Sequence, residues 1–156
     1  MVTIGPYRDS DRDAVAAFVV AVFDDEQDPL QRPAADFATG YVDAMFRAVV
    51  ERDGIIVVAR VGEEPIGFGC IMTDHNLDPT LIESARARAT VDYLFVTRAW
   101  RRRGIGRKLL NALEEEMRLR GCSRIRIRHK ASNLPARKLY EAAGYLPQEL
   151  ILSKAI

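Results

Sequence analysis

The sequence has little cysteine, no long hydrophobic run and almost no net charge, and each absence excludes a class of protein. Its two cysteines, Cys70 and Cys122, stand alone, without the spacing of a zinc site or a disulfide framework. No apolar stretch approaches the roughly 20 residues of a membrane-spanning helix, and the first residues lack the charged-then-apolar layout of a signal peptide. We therefore expect a cytoplasmic protein with reduced thiols and no membrane partner.

The near-neutral charge also argues against a dedicated nucleic-acid binder. The chain has 23 Lys and Arg residues against 22 Asp and Glu residues, a formal net charge of +1, whereas such binders usually carry a larger positive excess. Its length of 156 residues suits one domain with its own hydrophobic core. We expect a single domain over residues 1–156 and no nucleic-acid partner.

Hydrophobic periodicity and turn residues predict helices and strands along the whole chain. Their order, β-α-α-β-β-β-α-β-α-β, predicts a mixed α/β sheet packed between helices. The predicted strands are 2–7, two runs within 54–73 on either side of a turn at 61–65, 89–96, 122–129 and 145–155; the predicted helices are 10–23, 33–54, 104–121 and 132–144.

A cluster of positive side chains begins the third predicted helix, where positive charge is unfavourable. Residues 101–108, RRRGIGRK, carry five Arg or Lys side chains around Gly104 and Gly106. The free N–H groups of a first helical turn already make that end positive. A bound diphosphate would remove the conflict, because glycines let backbone N–H groups approach an anion closely. The alternative is a solvated basic helix start that binds nothing, or one that binds nucleic-acid phosphates.

Two motifs flank this helix and together carry a family resemblance. The first, [RQ]-x-x-G-x-[GA], is met by Arg101, Gly104 and Gly106, after a strand that ends Leu-x-Val at Leu94 and Val96. The second, N-x-x-A-x-x-[LF]-Y-x-x-x-G-[FY], is met at every fixed position by Asn133, Ala136, Leu139, Tyr140, Gly144 and Tyr145. The region 89–146 therefore resembles the GNAT superfamily of acyl-CoA-dependent N-acetyltransferases. Neither a P-loop nor a Rossmann fingerprint fits the same residues.

The resemblance implies a GNAT-like, mostly antiparallel sheet that is splayed at the cofactor site, with acetyl-CoA as co-substrate and no metal. The gap would lie between the strand that ends at Val96 and the strand 122–129. The backbone of Leu94, Phe95 and Val96 would hold the pantetheine arm, and Asn133 would lie on the far side of the cofactor. The residues implied to bind the diphosphate are Arg101, Arg102, Arg103, Gly104, Ile105, Gly106 and Arg107.

The implied reaction is attack of a neutral amine on a thioester carbonyl. It needs an oxyanion donor, a proton acceptor for the amine and a proton donor for the departing thiolate. Tyr140 matches the family's usual acid and also touches the cofactor, and a phenol with a pKa near 10 stays protonated at neutral pH. A backbone N–H at Phe95 or Val96 is the expected oxyanion donor.

The base is less clearly marked in the sequence. Asp92 shares strand parity with Thr90 and Leu94, near the position where some members of the family carry a carboxylate. A chain of water molecules is an equal alternative for the base, and a structural or solvated role for Asp92 remains open.

Several other polar residues are interpreted as ordinary surface. Asp74, His75 and Asp78 could be imagined as metal ligands, but loop residues of this kind usually face solvent. We expect His129 to be partly buried beside Ile125 and Ile127. The acidic run 24–28 is interpreted as a solvated loop rather than an amine-attracting one, and the arginines at 124, 126 and 128 as a solvated face or a subunit contact.

These observations predict an N-acetyltransferase that moves acetyl from acetyl-CoA to a primary amine, on a small molecule or on a protein or peptide amino group, by direct attack in a ternary complex. An alternative is an acyl-CoA-binding regulatory module without turnover. A nucleic-acid binder that uses residues 101–108 is a third and weaker hypothesis. A homodimer is possible by analogy with the family.

Overall fold

The computed structural model describes residues 1–26, 37–75, 87–149, 151, 152 and 154. Within these residues the chain forms a five-stranded sheet and four α-helices, which confirms the predicted mixed α/β class. None of these helices is long and apolar enough to cross a membrane. The elements are β1 (Val2–Pro6), α1 (Arg12–Glu26), α2 (Phe37–Glu51), β2 (Ile55–Val61), β3 (Glu64–His75), β4 (Ala87–Val96), α3 (Ile105–Leu119), β5 (Arg124–Ile127) and α4 (Leu134–Ala142).

The strands lie in sequence order, β1-β2-β3-β4-β5. The first three pairs are antiparallel and the last pair, β4 with β5, is parallel. The predicted hairpin forms between β2 and β3, where Gly62 adopts the left-handed backbone (φ 58°) that a tight turn requires. The parallel pair follows from the helix α3, which carries the chain back across the sheet between β4 and β5.

The sheet opens at one place, along the second half of β4. Residues 88–91 of β4 pair with residues 124–127 of β5, and no further pair joins these two strands. Residues 92–96 continue β4 and, but for the bulge described below, pair with β3. One side of this half-strand therefore faces a gap, and the predicted splay is confirmed.

A hydrophobic core lies on each face of the sheet. Helices α1 and α2 cover one face, and α3 covers the other, because alternate strand residues point to opposite faces. Buried residues on the α1/α2 face include Val15, Val19, Met45, Val58, Phe68, Cys70 and Met72. Those on the α3 face include Ile66, Ile71, Val91, Leu109, Leu110, Leu113 and Met117.

The strand predicted over residues 145–155 is not formed in the described part of that segment. Residues 145–149, 151 and 152 have no regular secondary structure. Tyr145 is held back against the helices, because its N–H donates to the Tyr140 carbonyl at 3.0 Å and its hydroxyl donates to Glu114 at 2.9 Å. Pro147 in addition has no N–H for a ladder. The local hydrogen bond to Tyr140 and the tertiary hydrogen bond to Glu114 override the strand periodicity of this segment.

Candidate functional site

The start of α3 presents free backbone donors. Gly104 is the N-cap in a left-handed conformation (φ 76°), and Arg102 is left-handed as well (φ 64°). The N–H of Lys108 makes the first helical bond, to the Gly104 carbonyl at 3.1 Å. The N–H groups of residues 105–107 precede that bond and have no intrahelical acceptor. Successive free N–H groups at a helix N-terminus form a site for an anion.

The second motif builds α4 beside that helix start. The Asn133 side chain caps α4 by accepting a hydrogen bond from the Ala136 N–H at 3.2 Å. A Cβ on Gly106 would lie 3.2 Å from Leu139 Cδ2, so the glycine lets α3 and α4 pack closely. Gly144 ends the segment in the left-handed conformation (φ 90°). The two motifs are therefore brought together in space.

The charges of the basic loop, residues 101–108, are not all available to a ligand. The Arg101 guanidinium donates through Nε to the Val96 carbonyl at 2.7 Å and forms a salt bridge with Asp25. Asp25 also binds Arg98 at 2.9 Å. Burial opposes ionisation of Asp25, but the two arginines outweigh it and lower the pKa of this carboxyl. Asp25, predicted to lie in a solvated acidic loop, instead ties the end of α1 to the basic loop.

The remaining positive side chains stay near the surface. Arg102, Arg103 and Lys108 are exposed and Arg107 is half-buried. Arg103 lies over the Trp100 ring, 4.8 Å from its centre. These four cations flank the free N–H groups of α3 along the chain, so the donor set suits a phosphate group.

The backbone of β4 offers hydrogen bonds to the gap at every second residue. The Thr97 N–H donates toward β3, to the Ile66 carbonyl at 2.9 Å. In an antiparallel ladder the next groups to point the same way are those of Phe95, and those of Leu94 and Val96 point away from β3, into the gap. Of the three residues expected to hold the arm, Phe95 therefore offers no backbone group to it. The Phe95 ring instead packs on Phe18, with 5.3 Å between ring centres.

Asp92 occupies a β-bulge at the point where the sheet opens. The β3–β4 register passes from Cys70 opposite Tyr93 to Ile71 opposite Val91, which leaves Asp92 without a partner. The prediction that Asp92 shares a strand face with both Thr90 and Leu94 is therefore correct for Thr90 and wrong for Leu94. Leu94 packs on the α3 face, whereas Asp92 lines a pocket together with Thr90.

The Asp92 carboxyl is held in a condition that suits proton transfer. Its Oδ2 atom is buried and has no hydrogen-bond partner within the described part of the chain. Burial raises the pKa of Asp92, and the positive charges of Arg52 and Arg128 offset that rise only in part. A carboxylate that is poorly solvated and raised in pKa is a stronger base than one in water.

The pocket next to Asp92 is polar and has a volume of about 360 Å³. Asp74, predicted to lie in a loop, belongs to β3, forms a salt bridge with Arg52 and accepts a hydrogen bond from Thr90 Oγ1 at 2.6 Å. We call this cavity the arginine pocket, and its lining residues are Arg52, Asp74, Arg88, Thr90, Asp92, Arg126 and Arg128.

The structure corrects the interpretation of the arginines at 124, 126 and 128 as a solvated face for Arg126 alone, because Arg124 and Arg128 are exposed as expected. Arg126 is half-buried, and both Arg126 and Arg128 line the pocket. Arg124, two residues earlier on the same strand face, is exposed and lies outside it. The only sequence signal was the alternation of arginine with isoleucine on a strand beside the expected gap. No pattern in the sequence near Arg52 or Arg88 indicated that these two residues would lie next to that strand.

Tyr140 lies across the sheet from the arginine pocket. It is half-buried on α4 and packs against the core of the α3 face. Its ring centre is 5.8 Å from that of His129 and 6.2 Å from that of Tyr145. His129 itself is exposed; the prediction of partial burial is wrong because β5 ends at Ile127, before the alternation reaches this residue.

Comparisons with solved structures show a shared fold. A GCN5-related N-acetyltransferase from Ralstonia eutropha JMP134 is 22% identical with a TM-score of 0.77, covering 100% of this chain and 99% of that one. The aminoglycoside N-acetyltransferase AAC(6')-Iy in complex with CoA is 15% identical with a TM-score of 0.76, covering 100% and 95%. A ribosomal-protein-alanine N-acetyltransferase from Brucella melitensis biovar Abortus 2308 is 20% identical with a TM-score of 0.71, covering 99% of each.

The family comparison is specific in sequence as well as in fold. No curated protein matches the chain significantly. The family model described as "Acetyltransferase (GNAT) family" matches residues 11–145, which span both motifs, the open half of β4 and the start of α3. The chain therefore belongs to the GNAT family of acetyltransferases.

Proposed function

We propose that this protein transfers the acetyl group of acetyl-CoA to a primary amine by direct attack in a ternary complex. The observation that carries the proposal is the junction of two features. Residues 92–96 of β4 leave one strand edge open, and the start of α3, which has no side-chain cap, follows that strand after residues 97–104. An extended arm and a diphosphate are the two parts of CoA that such a junction would hold.

The donor site draws on backbone groups more than on side chains. The Leu94 groups that point into the gap would pair with the pantetheine arm as a neighbouring strand would. The Val96 carbonyl already accepts from Arg101 Nε, which leaves the Val96 N–H for the thioester end of the arm. The N–H groups of residues 105–107 would hold the diphosphate, with Arg102, Arg103 and Arg107 adding charge-assisted bonds. Asn133 serves as a helix cap and thereby positions α4 beside the cofactor.

The proposed chemistry places the two proton transfers on opposite sides of the gap. The amine nitrogen forms a bond to the thioester carbonyl carbon, and the Val96 N–H stabilises the oxyanion. The Asp92 carboxylate accepts the proton that the amine loses. The carbon–sulfur bond breaks, and the departing thiolate takes a proton from the Tyr140 hydroxyl. The products are the acetylated amine and free CoA.

A binding experiment and a turnover experiment together test the proposal. Calorimetry at moderate salt should show binding of both CoA and acetyl-CoA, and a thiol reagent should report free CoA when a panel of amines is added. Absence of heat with either ligand would remove the acyl donor and with it the proposal. Binding without CoA release from any amine would favour the regulatory module.

A further inference from the structure

The arginine pocket contains two buried side-chain atoms of opposite chemical character that lack partners. Among the described residues, buried side-chain nitrogen or oxygen atoms without a hydrogen bond are found only in Arg88 (Nε) and Asp92 (Oδ2). Both residues line the same pocket. Leaving a buried donor or acceptor unpaired is costly. A ligand that offers an acceptor to one and a donor to the other would relieve both.

The pocket also carries an excess of positive charge. The Arg52 charge is matched by Asp74, whose carboxyl stays ionised because the Thr90 hydroxyl and the Arg52 guanidinium lower its pKa against the effect of burial. In the described part of the chain Arg88, Arg126 and Arg128 make no salt bridge. The pocket lining therefore has four guanidinium groups and only two carboxylates, those of Asp74 and Asp92.

The size and position of the pocket fit a small molecule. Its volume of about 360 Å³ corresponds to roughly twelve water molecules at about 30 Å³ each. It lies on the α1/α2 face, opposite the core against which Tyr140 packs. A ligand there would approach the β4 gap from the side away from Tyr140.

We propose that the acceptor is a small amine that also carries an anionic group, a carboxylate or a phosphate, a few bonds from its nitrogen. This inference rests on the proposed acetyl transfer and adds the chemical class of its acceptor. The anion pairs with Arg88 and Arg126, since guanidinium groups match carboxylate and phosphate oxygens in geometry. The amine then lies against Asp92, which removes its proton. Arg128, the most exposed of the three guanidinium groups, contributes attraction at the mouth of the pocket.

Matched amines test the proposal through binding and turnover separately. L-Alanine is compared with ethylamine, and O-phosphoethanolamine with ethanolamine, so that the two arms distinguish a carboxylate from a phosphate. Calorimetry on the CoA-saturated protein gives affinity, and CoA release from acetyl-CoA gives kcat/KM. One anionic amine should exceed its neutral counterpart by at least tenfold in affinity. Equal values within both pairs would overturn the proposal.

Three arginine variants locate the effect. Arg126→Gln and Arg88→Gln, on different strands, should each weaken binding of the preferred anionic amine by roughly 10- to 100-fold, as expected for a lost charged hydrogen bond. Arg124→Gln removes an exposed arginine from the same face of β5, outside the pocket, and should change affinity by less than about twofold. Equal losses in Arg126→Gln and Arg124→Gln would overturn the proposal, because a general field effect would then explain both.

The two readouts separate this inference from the acetyl-transfer proposal. Arginine-dependent binding of an anionic amine without CoA release would support the pocket's ligand class and overturn acetyl transfer to it. CoA release with neutral amines alone, unaffected by Arg88→Gln and Arg126→Gln, would support acetyl transfer and overturn the anionic acceptor. Thermal unfolding of each variant shows whether a loss reflects the pocket or the fold.

Discussion

Two arginine-rich regions of this protein are built in opposite ways. The basic loop is one continuous stretch, residues 101–108, whose side chains are mostly exposed and whose backbone N–H groups at 105–107 have no intrahelical acceptor. The arginine pocket collects residues from β3, β4, β5 and the chain just after α2, and two of its polar side-chain atoms are buried. The first region is a local structure, and the second exists only in the folded sheet.

The difference predicts how each region responds to its surroundings. Exposed charges are screened by salt over about 10 Å at 0.1 M, so the side chains of the basic loop should contribute a salt-dependent share of CoA binding. Buried groups are screened far less and carry larger pKa shifts. We therefore expect proton transfer from the amine to depend on the pocket, and recognition of the diphosphate of CoA to depend on the loop.

The largest expected effect comes from removing the Asp92 carboxylate. Asp92→Asn should lower turnover by roughly 10²- to 10⁴-fold, the range of a general base, and leave the affinity for CoA unchanged. The measurements are steady-state CoA release and calorimetry. A variant with full turnover would assign the proton to water, and a variant that lost CoA binding would show that the pocket and the loop are not separate.

Ionisation of Asp92 should also determine how kcat/KM depends on pH on the acidic side of the profile. Because burial raises its pKa, kcat/KM should increase with pH through that raised value as the carboxylate forms. The folded state retains this proton to higher pH than the unfolded state, so the free energy of unfolding should fall as pH increases through the same window. Asp92→Asn should remove this pH-dependent decrease in the free energy of unfolding. Thermal unfolding should therefore find the variant more stable than the wild type at neutral pH.

Tyr140 should give the next largest effect, on the other side of the gap. Tyr140→Phe should lower turnover by roughly 10- to 100-fold, somewhat less than the range of a general acid because water can replace part of its role, with little change in CoA affinity. Tyr145→Phe is the matched control on the neighbouring ring. It loses a hydrogen bond to Glu114 and should lower stability by about 1 kcal/mol, with turnover retained. Equal losses of turnover in both would point to packing.

The contrast between the two regions also explains what could be predicted from the sequence. The helix–strand order up to α4 depends on periodicity and turn residues, and the basic turn depends on glycines and adjacent charges, all of which a linear sequence displays. The splay was expected from the family resemblance. The bulge at Asp92 depends on how β4 pairs with β3. It moved Leu94 to the opposite face, and no composition signal marked it. Arg88 and Arg126 line one pocket because two strands pair in parallel, so that pocket required the fold.

The segment after α4 shows a second limit of prediction from sequence, in which a recognisable pattern does not form the expected structure. Residues 145–155 carry strand-forming residues, yet Tyr145 forms hydrogen bonds with Tyr140 and Glu114, and the described residues 145–149, 151 and 152 form no strand. In the same way Arg101 matches the motif as a diphosphate ligand, but Asp25 and the Val96 carbonyl hold its side chain. In both cases tertiary hydrogen bonds override a correct local pattern.

A smaller effect tests the backbone character of the basic loop. Gly104→Ala places a Cβ on a left-handed residue (φ 76°), where open space surrounds it but the conformation itself is strained by about 1–2 kcal/mol. Gly121→Ala carries the same strain (φ 76°) at the other end of α3, also in open space. Both variants should lose similar stability in thermal unfolding. Only Gly104→Ala should weaken CoA binding, by about tenfold, because it alone redirects the free N–H groups.

The smallest expected effect on CoA binding comes from Asp25, the acidic residue that forms salt bridges with Arg98 and Arg101. Asp25→Asn removes one negative charge next to Arg98 and Arg101, so CoA should bind about two- to threefold more tightly at low salt and equally at high salt. Because the Asp25 pKa is lowered in the folded state, its contribution to stability is present above the ordinary pKa and is lost as pH falls through the lowered one. Weaker CoA binding at every salt concentration would instead mean that Asp25 acts by positioning Arg101, and the loop would then depend on tertiary contacts as the pocket does.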